Sequence, residues 1–275
     1  MSSLALWQEG PKPSPGPSAV VASEELARGL PAHVAEAVWR GTELGKVDAR
    51  VVSSGFQVLD AELPGGGWPT RCLTELLLPQ SAICEWRLLG PAVPSLLAEE
   101  GSTVYLVSPP KQPNAPGLAQ LGVTPDRLVW IEVKGPAERL WVAEQLIKSD
   151  PCGAVMVWLP QARPEQLRRL QVHAQSCDAP VFVFRPETAL RDTSAAPLRI
   201  SVALGTGWNI DLRIRKRRGA TFDGVLELLA MPGNLDIVIP PRLRKLPAPA
   251  PARQEMHHVL GSTAPNPVAA FRVAH

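Results

Sequence analysis

The chain of 275 residues is poor in every feature that would place it outside an aqueous, reducing compartment. No apolar run approaches the roughly 20 residues needed to span a bilayer. The N-terminus has neither a charged leader nor an apolar leader core, so no export signal is expected. The four cysteines, Cys72, Cys84, Cys152 and Cys177, are widely separated, and no Cys-x-x-Cys occurs. The few histidines show no metal-ligand spacing. Free thiols in a cytoplasmic protein are therefore expected, with no disulfide and no metal. Net charge is only +2, so no global field demands a nucleic-acid partner.

What remains is an ordinary globular composition, 45% hydrophobic and 20% charged. The 30 prolines cluster at the two ends. Proline removes a backbone donor and fixes φ, so both clusters resist regular structure. Residues 1–22 and 239–275 are expected to be disordered tails. Residues 23–49 form a helical segment, with an amphipathic helix over Pro31–Leu44, and 50–238 form the core domain. No internal repeat is visible.

Within the core, the stretch 52–70 is dense in Gly and Pro and reads as a loop. Apolar runs at Cys72–Leu78, Thr103–Val107, Leu128–Val133, Gly153–Trp158 and Val181–Phe184 read as strands covered on both faces. Helical patterns separate them: Glu85–Glu100, interrupted by Gly90, Pro91 and Pro94, then Ala137–Lys148 and Pro164–Ser176. Strands alternating with helices predict a parallel sheet with crossover connections. Leu198–Leu204, Trp208–Lys216 and Gly224–Ala230 then follow one another through Gly-containing turns, which predicts antiparallel pairing. The fold class is α/β with a mixed sheet, parallel first and antiparallel toward the C-terminus.

Several phrases resemble RecA-type recombinase cores over roughly 50–230. They are Val52-Ser-Ser-Gly-Phe-Gln-Val-Leu-Asp60, Leu63-Pro-Gly-Gly-Gly-Trp-Pro69, Cys72-Leu-Thr-Glu-Leu-Leu77 and Leu121-Gly-Val-Thr-Pro-Asp-Arg-Leu-Val129. Together, Val38-Trp-Arg-Gly-Thr-Glu-Leu44 and the run from Ala61 to Leu77 resemble the ImuA branch. These are SulA-related accessory proteins of translesion DNA synthesis, encoded beside a Y-family-like protein and an error-prone polymerase. The resemblance implies a RecA-like three-layer core with a degenerate P-loop. A P-loop needs glycines, a lysine and a Ser/Thr to cradle phosphates and Mg²⁺. The aligned stretch here is Leu78, Pro79, Gln80, Ser81, Ala82, Ile83, Cys84 and Glu85. Cys84 stands in the lysine position and Glu85 in the Ser/Thr position. Pro109 falls near the position of the water-activating acid, and Trp158 on that of the Walker B aspartate. Phosphoryl transfer needs those charges and hydroxyls. No catalytic residue, cofactor or metal is therefore expected, and packing among Leu78, Ile83 and Trp158 is expected in place of phosphate.

Gly65-Gly-Gly67 precedes its strand and reads as a turn, not as a phosphate cradle. Trp68 and Trp86 suit core burial or a partner contact. Arg213, Arg215, Lys216, Arg217 and Arg218 form the sharpest charge feature. In an alternating strand Arg213 and Arg215 share one face, with Ile210, Leu212 and Ile214 on the other. The patch suits an acidic partner, DNA phosphates or a solvated edge. The stretch Arg185–Pro197 reads as a flexible surface loop, and Arg242–Leu246 as a docking motif or a plain basic tail. The function implied is a non-catalytic adaptor in SOS mutagenesis. Its expected partners are RecA or the Y-family-like protein, with DNA contact as a further candidate. A RecA-like ATPase with a non-standard loop and a SulA-like cell-division inhibitor are the alternatives.

Overall fold

Leu73-Thr-Glu-Leu-Leu-Leu78 is buried along its whole length, which marks it as the central strand of a sheet covered on both faces. The computed structural model describes residues 50–231 together with Leu235 and Pro240. The tails 1–22 and 239–275, the segment 23–49 and the motif 242–246 lie outside these residues, Pro240 apart.

In chain order, β1 (Val51–Val52) and β2 (Trp68–Pro69) pair antiparallel and enclose α1 (Gln57–Glu62). The eight-stranded sheet holds β3 (Leu73–Leu78), β4 (Thr103–Val107), β5 (Leu128–Ile131), β6 (Gly153–Trp158), β7 (Val181–Pro186), β8 (Leu198–Leu204), β9 (Asn209–Lys216) and β10 (Leu226–Leu229). Its spatial order is β10-β9-β8-β3-β7-β6-β4-β5. Every pair from β8 to β5 is parallel, while β8–β9 and β9–β10 are antiparallel. The mixed sheet read from the apolar runs is therefore observed, with the antiparallel strands gathered at one end.

Alternate side chains build two cores. On one face Leu76, Leu78, Met156, Trp158, Phe182 and Phe184 pack against α1, α2 (Glu85–Leu89), α3 (Val93–Leu96) and α4 (Ala115–Gln120). On the other, Leu73, Val155, Val157, Val181 and Val183 pack against α5 (Pro136–Lys148) and α6 (Pro164–Ala174). Each such buried side chain contributes about 1.5–3 kcal/mol. The second core stops at β3 and draws no residue from β8, β9 or β10, so Ala203, Arg213, Arg215, Glu227 and Leu229 face outward.

Three local expectations need correction. The helix over Glu85–Glu100 is three short pieces, α2, a 3₁₀ turn at Gly90–Ala92 and α3, because Pro91 and Pro94 have no N–H to continue the ladder. The loop 52–70 holds α1 and the β1–β2 pair. In it, the Asp60 carboxylate accepts from Ser53 Oγ at 2.7 Å and from Ser54 N at 2.8 Å. The stretch 185–197 is pinned to the sheet through buried arginines, as shown below. The Gly65–Gly67 turn is observed: Gly65 and Gly66 have φ of 85° and 88°, and a Cβ on Gly67 would lie 2.5 Å from the Val52 carbonyl oxygen.

Candidate functional site

The loop leaving β3 runs along the carboxyl end of the parallel strands, where open α/β sheets bind ligands. It is closed by a side chain of its own. Glu85, the first residue of α2, is only 3% exposed. Its Oε1 accepts from the Ala82 backbone N–H at 2.7 Å and from the Trp158 indole Nε1–H at 3.1 Å. Ala82 carries a φ of 67°, the left-handed region that L-residues enter at a cost of roughly 1–2 kcal/mol. That conformation turns the Ala82 amide toward the carboxylate. The other oxygen, Oε2, is buried with no hydrogen-bond partner among the described residues.

Trp158 ends β6 and stacks on Phe184 of β7, with centroids 4.5 Å apart and planes 21° from parallel. Glu85 and Trp158, far apart in the sequence, are thus bonded to each other. Cys84 is fully buried, and burial pushes its thiol pKa up. Leu78 and Trp158 are in the core as expected. Ile83 is a correction: it is 36% exposed, outside the core that holds the other two, and lines an apolar groove between the loop and α4. Pro79, Gln80 and Ser81 are on the surface. Pro109 lines a cavity of about 270 Å³ together with Ser81 and Trp158.

A second cluster went unread in the sequence. Glu75, fully buried at the middle of β3, accepts from Arg185 Nη1 at 2.8 Å and meets Arg199 Nε at 2.6 Å. Arg185 also donates to Asp192 at 2.8 Å and to the Ala162 carbonyl at 2.8 Å. Arg199 donates to the Ala189 carbonyl at 2.9 Å. The signal available was a lone carboxylate inside an apolar strand, since such a charge requires a buried cation.

The basic run has the alternation expected of it: Ile210, Leu212 and Ile214 are buried, and Arg213 and Arg215 are exposed. Its cations are not equivalent. Arg217 bonds Glu62 Oε2 at 2.8 Å and lies 5.8 Å from the Phe222 ring centroid, strapping the end of β9 to α1. Arg215 Nε donates to Ser201 Oγ at 2.8 Å, and Lys216 Nζ to the Ser194 carbonyl at 3.0 Å. Arg213 and Arg218 are exposed without a hydrogen-bonding or ionic partner among the described residues. Trp68 is core, edge-on to Phe182 at 5.4 Å. Trp86 is half-buried beside the apolar groove.

Among the described residues no helix is long and apolar enough to cross a membrane, and no three His, Cys, Asp or Glu side chains are grouped to hold a metal. The chain matches no known protein-family model and no curated protein.

Proposed function

We propose that the protein is a non-catalytic adaptor of error-prone translesion DNA synthesis, with a RecA-like core that has given up nucleotide chemistry. It acts in DNA damage tolerance through contacts with RecA or a Y-family-like polymerase partner. The reading rests on the resemblance of 38–77 to the ImuA branch. The mixed sheet, with a central first strand and helices on both faces, is compatible with it.

One observation carries it furthest: the Glu85 carboxylate occupies the loop amide of Ala82 and the indole of Trp158. A phosphate brought there would meet a buried acidic side chain already bonded to the loop, where transfer chemistry needs a lysine and a metal-bound hydroxyl. A recombinase core polymerises through its own edges, so an inert copy can occupy such an edge without ATP.

The test is size-exclusion co-elution of the full chain with purified RecA and, separately, with a Y-family-like partner, each without nucleotide. Co-elution with either is the expected outcome, together with Mg²⁺-ATP turnover no higher than a buffer blank, with or without single-stranded DNA. Turnover that disappears on changing 78–85 would replace the adaptor by the ATPase alternative. Co-elution with neither protein would remove the adaptor reading.

A further inference from the structure

We propose that the cavity at the carboxyl ends of β4, β6 and β7 binds a carboxylate carried on a short apolar stem. The cavity holds about 270 Å³, just under the roughly 300–1,000 Å³ of drug-sized ligand sites. A side chain or a small acid fits a cavity of this size. The site is independent of the adaptor reading and stands or falls without it.

Its walls divide into an apolar part and a cationic part. The stacked Trp158–Phe184 pair supplies a flat apolar surface, and Pro109, Pro110, Pro160 and Pro186 add rigid ones. Arg139, from the first turn of α5, supplies the charge. No carboxylate among the described residues lies within salt-bridge reach of its guanidinium. Its single hydrogen bond is a long one, Nη1 to the Trp158 carbonyl at 3.4 Å, and its buried Nε has none. Arg185, 3% exposed, lines the same cavity and also leaves Nε unpartnered, although Glu75 and Asp192 hold its other nitrogens.

A buried guanidinium donor without an acceptor is costly, and an oxyanion is the group that satisfies it. Ser108, also on the cavity wall, holds a φ of 49°. Such conformations persist where surrounding structure enforces them and gather at ligand clamps. Exposed Glu132 lines the cavity too and opposes a dianion more than a monoanion. The observations therefore favour a carboxylate over a phosphate.

The experiment is an NMR-observed titration of the full chain with hexanoate, hexanol, inorganic phosphate, and the capped peptides acetyl-Leu-Glu-Leu-amide and acetyl-Leu-Gln-Leu-amide. Hexanoate should bind about tenfold more tightly than hexanol, and the Glu peptide about tenfold more tightly than the Gln peptide, as for one charge-assisted pair. The tighter of the two acids identifies the source, a free small acid or a partner's side chain. Arg139→Gln should abolish the preference while melting with the wild type. Glu132→Gln, at an exposed position, should tighten hexanoate by up to about fivefold. Equal affinity for the charged and neutral probes, tighter binding of phosphate, or unchanged affinities in both variants would overturn the proposal.

Discussion

Glu75 sets the largest single demand on the molecule. A carboxylate with no exposure, between Thr74 and Leu76 on a buried strand, is stable only with cations beside it. Arg199 stands opposite it in the β3–β8 register. Arg185 reaches it from β7, two residues beyond its direct neighbour Val183. Removing one partner leaves an uncompensated buried charge, so Glu75→Ala should destabilise the fold by about 3–5 kcal/mol. Chemical denaturation measures this, and a loss below about 1 kcal/mol would mean the pair is replaceable by packing. The lone acid was visible in the sequence as an anomaly, but its partners were not. They lie 110 and 124 residues away and are brought in by parallel register, which no local pattern encodes. Glu85 was equally hidden. Read as a missing hydroxyl, it is a side chain with its own hydrogen bonds, visible only once Ala82 and Trp158 are placed beside it.

At the scale of elements, β9 separates two roles that looked like one run of charge. The alternation of Ile210, Leu212 and Ile214 with Arg213 and Arg215 was legible because the period of a strand is local. The strap from Arg217 to Glu62 was not, since α1 lies in a stretch whose density of Gly and Pro predicts a loop. Arg217→Ser should lower the melting temperature by several degrees, because it removes a half-buried ion pair and the contact with Phe222. Arg213→Ser with Arg218→Ser should leave it within about a degree, as exposed unpaired charges add little to stability. If that double variant also weakens binding to an acidic protein or to DNA in low salt, these two residues mark the interaction surface. Unchanged binding makes the face a solvated edge. The strands of the large sheet were legible because parallel strands read as short apolar runs, but β5 is an edge strand with Val129 and Trp130 exposed, not covered on both faces as expected. Helices α1 and α4 were not, since six residues carry too little periodicity to distinguish a helix from a loop.

For the molecule as a whole, two of its buried thiols set an alkaline limit. Burial raises the pKa of Cys72 and of Cys177 to about 11, from an ordinary value of 9.0. Both thiols stay protonated in the folded chain after the unfolded chain has lost its protons. Their contribution to stability is therefore fully present below pH 9.0 and is lost between pH 9.0 and about 11. Melting temperature followed across that window should drop, and Cys72→Ala with Cys177→Ala should flatten the part of the drop that belongs to these thiols. An identical slope in the double variant would assign the decline to other groups. Overall architecture was legible because an alternation of strand and helix patterns constrains topology strongly. The end of helical cover at β3 was not, because it depends on which helices the chain spends on each face.

A loop that binds nucleotide is filled and emptied by mass action, so its state follows the supply of ligand in the cell. The loop after β3 is filled by a group that is part of the chain, Glu85, bonded to the amide of Ala82. Its occupancy has no concentration dependence, no exchange rate and no spent form to discard. On the adaptor reading, the surface it shapes is insensitive to the energy charge of a damaged cell, and its activity is set by how many copies are made.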